Sequence, residues 1–144
     1  MTKAEDAVAL FQQGFNCTQS ILSIFAPDFG LDRDEARRIS QGFGAGMGRT
    51  DNICGSLSAA IMVIGMRYGG VRADDIAAKE KTYAVVGEFL REFKARHGSL
   101  ACTDLLGYNL SDLQQFSDAK THKVAMERCP AFIRDAVEFV ETLL

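Results

Sequence analysis

Asp51-Asn52-Ile53-Cys54-Gly55-Ser56-Leu57-Ser58-Ala59-Ala60-Ile61-Met62-Val63-Ile64-Gly65-Met66 decides the fold. Asp51 or Asn52 is a helix cap by side-chain chemistry, and the helix behind it runs through Leu57, Ile61, Ile64 and Met66. The residues between them are also apolar or small, so the helix has no polar face to show to water. A helix apolar on nearly every side belongs in the middle of a protein, with other helices wrapped around it. The 15 uncharged residues from Asn52 to Met66 are too few to span a bilayer. The pattern predicts a central buried helix and no membrane insertion.

Outward from that helix the pattern stays helical. Toward the N-terminus, Thr2-Lys3-Ala4-Glu5 reads as a capping box ahead of Ala7, Leu10 and Phe11, ending at Gly14. Asn16 caps a second helix with Ile21, Leu22 and Phe25, which stops before Pro27. Asp32 or Asp34 opens a third, through Ala36 and Ile39. Toward the C-terminus, Asp74 or Asp75 starts a long helix with an inner stripe of Tyr83, Val86, Leu90 and Phe93. Short helices follow near Thr103–Leu106 and Ser111–Gln115, and Ser117 or Asp118 opens another with Val124 and Met126. Pro130 suits the first turn of a last helix in which Ile133, Val137, Val140 and Leu144 face inward, and Cys129 is its cap. No segment alternates like a strand, and no repeat or linker divides the chain. The expectation is an all-α fold, one compact multi-helix bundle over residues 1–144.

Composition narrows the function. Of 144 residues, 47% are hydrophobic and 24% charged, with a net charge of −3, the balance of a globular protein. Lys and Arg gather nowhere into a run, which argues against a nucleic-acid partner. The early acids Glu5 and Asp6 do not suit a signal peptide, so a cytoplasmic location is expected. The high apolar fraction leaves room for a homodimer.

In a reducing cytoplasm, Cys17, Cys54, Cys102 and Cys129 are better read as reactive or ligating groups than as staples. They stand 37, 48 and 27 residues apart with no Cys-x-x-Cys, so any shared site is assembled by folding. Each falls at an expected helix N-terminus, where free N–H groups and the positive end of the dipole favour a thiolate. The competing reading is that cysteines are small apolar packing residues. Gly42-Phe43-Gly44-Ala45-Gly46-Met47-Gly48-Arg49-Thr50 leads toward Cys54-Gly55. It follows a helix, not a strand, and lacks the Gly-Lys-Ser/Thr ending of a phosphate loop. Gly44, Gly46, Gly48 and Gly55 are candidates for backbone that closes over the cysteines or meets a cofactor or anion; a tight helix–helix contact is the plainer alternative. His97 and His122 read as solvated, Asp104 and Asp112 as caps, Arg49 as an exposed loop residue, and Met47, Met62, Met66 and Met126 as core filler.

Phe15-Asn16-Cys17-Thr18-Gln19-Ser20, Gly42–Gly48, Cys54-Gly55, Cys102-Thr103-Asp104-Leu105-Leu106-Gly107 and Cys129, in that order, resemble the C_GCAxxG_C_C family of redox-active proteins. The resemblance spans nearly the whole chain and implies that these are the family's four characteristic cysteines. It also implies a prokaryotic protein, often encoded near transporter or oxidoreductase genes. Where the family shows Cys-Gly-Ala-x-x-Gly, this chain has Cys54-Gly55-Ser56-Leu57-Ser58-Ala59. Three functions follow as expectations: thiol–disulfide redox chemistry with an unidentified redox partner protein; a zinc or iron–sulfur module ligated by Cys17, Cys54, Cys102 and Cys129; and a non-enzymatic partner of an oxidoreductase or transporter.

Overall fold

The computed structural model covers residues 1–144 and is all-α. Eight right-handed helices run in order: α1 (Lys3–Gln12), α2 (Cys17–Phe25), α3 (Arg33–Ser40), α4 (Gly55–Tyr68), α5 (Ile76–His97), α6 (Cys102–Leu106), α7 (Leu113–Thr121) and α8 (Val124–Glu141). The starts of the first three are written in side-chain chemistry. Thr2 and Asn16 each form a full capping box, with Glu5 and Gln19 respectively, and Asp32 accepts from the Glu35 N–H. Asp75 caps α5 through the Ala78 N–H.

Helix α4 is the centre, flanked by α2, α5 and α8, while α1 lies across α2 and α8. Leu57, Ala59, Ala60 and Val63 are fully enclosed, as are Ile21 and Phe25 of α2 and Ile133 and Val137 of α8. Burying side chains of this size contributes about 1.5–3 kcal/mol for each Leu, Ile, Val or Phe. No helix is long and apolar enough to cross a membrane.

Five local expectations are corrected, the simplest being Leu144, which lies beyond the end of α8 and is exposed instead of facing inward. The cap of α4 is Cys54, not Asp51 or Asn52, because the Asn52 amide is spent on Thr50. The inner stripe of α5 is Val85, Phe89 and Phe93; Tyr83 is exposed, and Val86 and Leu90 only flank the seam. The two phenylalanines set this phase by packing on Phe139 and Phe132 of α8. Residues 113–121 form one helix with no new start at Ser117 or Asp118, and the break falls at Lys123, which is left-handed. Helix α8 then continues unbroken past Pro130, which is buried within it. Losing one helical hydrogen bond at Pro130 is outweighed by the apolar face from Phe132 to Val140, which needs an unbroken helix to reach the core.

The glycine-rich segment is a left-handed turn. Ala45, Gly46, Met47, Gly48 and Arg49 all have φ between 55° and 68°, and Asp51 follows at 62°. For Ala, Met, Arg and Asp this conformation costs roughly 1–2 kcal/mol per residue. Backbone bonds hold it: the Gly46 carbonyl accepts from the Thr50 and Asn52 N–H groups, at 3.3 and 3.1 Å. Among the methionines, Met62 and Met66 pack against the core, whereas Met47 and Met126 are exposed.

Candidate functional site

Three of the four cysteines sit where helices begin, as local sequence chemistry dictates. Cys17 is the first residue of α2, directly behind the Asn16 cap; Cys54 is the cap of α4; Cys102 is the first residue of α6. Cys129 departs from the expectation. It lies in the second turn of α8, because the helix starts before it and not at Pro130.

Backbone pairing registers these starts. The Cys54 N–H donates to the Leu100 carbonyl and the Cys102 N–H to the Asn52 carbonyl, both at 2.9 Å, around an antiparallel bridge between Ile53 and Ala101. The Thr18 hydroxyl donates to the Gly55 carbonyl at 2.9 Å, locking the start of α2 onto the start of α4. Arg128 of α8 donates to the Leu106 carbonyl at 3.0 Å, tying the end of α6 to the helix that carries Cys129.

The result is a single cavity of about 110 Å³ bordered by all four cysteines. Its other walls are mainly apolar: Phe11, Ala45, Leu105, Leu106, Leu110, Ala125 and Phe132, with Asn16 at one edge. Cys17, Cys54 and Cys102 are buried and Cys129 is partly exposed; all four are free thiols.

The glycines make this closeness feasible. A Cβ on Gly55 would lie 2.5 Å from the Cys17 sulfur and 2.4 Å from the Thr18 hydroxyl. One on Gly46, at φ +68°, would lie 2.9 Å from the Cys102 Cβ. One on Gly44 would fall inside the Asn16 side chain. Gly48, by contrast, meets only the Gly42 carbonyl at 3.9 Å, so its role is the left-handed backbone alone. At Gly44, Gly46 and Gly55 the space left by the missing side chain is filled by this chain's own Asn16, Cys102 and Cys17.

The family model described as "Putative redox-active protein (C_GCAxxG_C_C)" matches residues 15–143, from the residue before the cap of α2 to the last residue but one. This chain belongs to that family. No curated protein and no solved structure matches it.

Within the family frame, the electrostatics of the four thiols differ sharply. The Cys54 thiol is the largest cause that pulls Cys17 down from 9.0 to about 7; against burial, the Ser56 hydroxyl, the Thr18 hydroxyl and the Thr18 N–H add to the pull. Cys54 is pushed up by giving its proton to that interaction, and by burial. Burial and the Cys17 charge push Cys102 up to about 12, and the same two causes raise Cys129. One thiol of the C_GCAxxG_C_C site is therefore acidic and three hold their protons.

Asn16 was legible as a cap, but Thr18 and Ser56 were not singled out as site residues. The signal for Ser56 lay in the departure from the family's Cys-Gly-Ala. Its hydroxyl is buried with no nitrogen or oxygen partner, which leaves the Cys17 thiolate as the group it serves.

His97 is also corrected. It is half-buried, paired through Nε2 with Asp135 and packed on Phe93 and Phe132, because the seam between α5 and α8 closes over it. His122 is exposed and meets the Tyr108 hydroxyl at 3.1 Å. Asp104 accepts from Ser99, Asp112 occupies a cap position without making the cap bond, and Arg49 lies over the Phe116 ring at 4.3 Å. No three His, Cys, Asp or Glu side chains are arranged to hold a metal ion, so the zinc or iron–sulfur expectation finds no ready ligand set. A larger groove between α5 and α8, about 320 Å³ and edged by Glu88, Glu92, Asp135 and Glu138, contains no cysteine.

Proposed function

We propose that this protein carries out thiol–disulfide redox chemistry, with Cys17 as the attacking sulfur and Cys54 as the resolving one. The observation that carries the reading is the convergence of four free cysteines, from four separate helices, on one small cavity. Packing alone gives small apolar residues no reason to gather at one void.

The chemistry follows from the order of ionisation. The Cys17 thiolate attacks one sulfur of a disulfide, forming a mixed disulfide and releasing the other sulfur as a thiolate that takes up a proton. Cys54 then loses its proton, and its sulfur attacks Cys17. A Cys17–Cys54 disulfide forms and the second substrate thiol leaves. Two electrons have passed from the protein dithiol to the substrate, and the reverse sequence oxidises a substrate dithiol. A reducing cytoplasm, where the dithiol is the resting form, suits this cycle.

The test is thiol counting by mass spectrometry after equilibration in glutathione buffers spanning cellular potentials. Oxidation should remove two thiols, and peptide mapping should find Cys17 joined to Cys54. Four unchanged thiols throughout that range, and after treatment with dimethyl disulfide and diamide as well, would end the proposal.

A further inference from the structure

The walls of the cysteine cavity carry information about what enters it. No Lys, Arg, His, Asp or Glu lines it. Its one polar side chain outside the thiols, Asn16, is already engaged at both ends: Oδ1 accepts from the Gln19 N–H at 2.9 Å, and Nδ2 donates to the Gln41 carbonyl at 2.8 Å. A carboxylate or ammonium taken into this space loses its water and finds no partner, at several kcal/mol per charge. A peptide segment fares little better, because its N–H and C=O groups also need partners.

Size sets a second limit. A dry apolar cavity of about 150 Å³ accommodates benzene. At about 110 Å³ this one has room for a molecule of about four or five non-hydrogen atoms. Position sets a third. Phe11, Ala45, Leu110 and Ala125, all at least partly exposed, stand at the rim, while the buried Cys17 and Cys54 lie deeper. A bulky disulfide held outside the rim does not bring its sulfur to Cys17.

We infer that the cavity is itself the substrate pocket, and that the oxidant it admits is a short-chain, uncharged dialkyl disulfide. This rests on the Cys17–Cys54 reading and narrows it. The exchange balances as above: one alkyl group leaves as a thiol when Cys17 captures the other, and the second leaves when Cys54 closes the protein disulfide. The products are two neutral short-chain thiols. An apolar wall holds them weakly once the S–S bond that joined them is gone, since each then has half the contact area.

The experiment uses the full reduced chain with dimethyl disulfide, cystamine (two ammonium groups) and oxidised glutathione as oxidants. Formation of the Cys17–Cys54 disulfide is followed by acid quench and mass spectrometry. Each rate is divided by that of the same oxidant with a free small thiol, which removes intrinsic reactivity. The normalised rate for dimethyl disulfide should exceed both charged oxidants by about 100-fold or more, the effect of burying an unpaired charge. Ala125→Phe, which crowds the rim from an exposed helical position, should slow dimethyl disulfide by about tenfold while leaving the helical circular dichroism unchanged. Equal or faster normalised rates for cystamine or oxidised glutathione would overturn the substrate class while leaving the redox pair standing. Absence of a Cys17–Cys54 disulfide with every oxidant, diamide included, would overturn the pair and the substrate class together.

Discussion

Replacing Gly55 with alanine adds one methyl group at the point where α2 and α4 meet. The ideal Cβ falls 2.4 Å from the Thr18 Oγ1, 2.5 Å from the Cys17 sulfur and 3.3 Å from the Phe43 carbonyl. Favourable carbon contacts lie at about 3.5–4.0 Å, so the start of α2 must retreat by about 1 Å. It has little freedom to do so, since Thr18 and Ser20 are fully enclosed and Asn16 is held by its capping box. Overpacking of this kind costs about 1–3 kcal/mol. The retreat also stretches the Thr18–Gly55 hydrogen bond of 2.9 Å, a further loss of about 1 kcal/mol. The expected destabilisation is about 2–4 kcal/mol in urea unfolding, with slower closure of the Cys17–Cys54 disulfide. Gly65 provides the control, since it lies in the same helix with no atom within 4 Å of its Cβ position. There the same substitution should stabilise by about 0.5–1 kcal/mol, the usual gain of Ala over Gly inside a helix. A Gly55→Ala protein within about 0.5 kcal/mol of the parent, closing its disulfide at the parental rate, would refute the argument that this glycine exists to let Cys17 approach.

Alkylation of Cys17 by iodoacetamide, read peptide by peptide, should rise through a midpoint near pH 7. The thiolate is the reactive form, so the rate falls about tenfold per pH unit below that midpoint and levels off above it; a midpoint near 9 would contradict the hydrogen-bonded thiolate. Ser56→Ala removes one of the donors that pull Cys17 down, so the same profile should move to higher pH, and an unmoved profile would leave Ser56 a bystander. Cys129 should be alkylated more slowly than Cys17 at pH 7 although it is the more exposed, because burial and the Cys17 charge keep it protonated; the reverse order would mean that access governs reactivity. Protein purified without oxygen should carry well under one zinc or iron per chain, and a stoichiometric metal by elemental analysis would show that the thiols rearrange into a ligand set.

What the sequence made legible was local. Asn16 with Gln19, Thr2 with Glu5 and Asp32 before Glu35 are short-range chemistry, and each helix start appears where its side chains require it. The apolar run from Leu57 to Ile64 likewise needs no partner to declare that it is buried. Failures came where a distant surface outvoted a local rule. Pro130 is a good helix-start residue, yet the apolar face behind it carries the helix through, and Cys129 is thereby moved from a cap to a helix interior. His97 looks solvated from its neighbours in sequence, but Asp135 and Phe132, more than thirty residues away, enclose it. The glycines at 44, 46 and 48 signalled unusual backbone, but not that Ala45, Met47 and Arg49 would be drawn into the left-handed region between them. The meeting of the four thiols was out of reach for the same reason, since separations of 37, 48 and 27 residues carry no distance until helices are packed.

The left-handed turn and the acidity of Cys17 are two halves of one arrangement. A thiol is most simply acidified by a nearby cation, yet the causes that lower Cys17 are all hydrogen bonds, from Cys54, Ser56 and Thr18. Hydrogen bonds to sulfur act only at close range, so the starts of α2 and α4 must touch, and Gly55 and the Thr18 bond bring them together. The opposite wall must then come equally close without placing a charged side chain in the cavity lining. A right-handed segment with ordinary side chains would set Cys102 back by the width of a Cβ; Gly46 in the left-handed turn does not. The strain in Ala45, Met47, Arg49 and Asp51, several kcal/mol in all, is sustained by backbone bonds from Asn52 to Gly46 and from Cys102 to Asn52. The cavity that results stabilises a thiolate at its floor while offering nothing to a charged visitor, and that pairing of an acidic nucleophile with neutral walls is what makes its selectivity a matter of substrate charge.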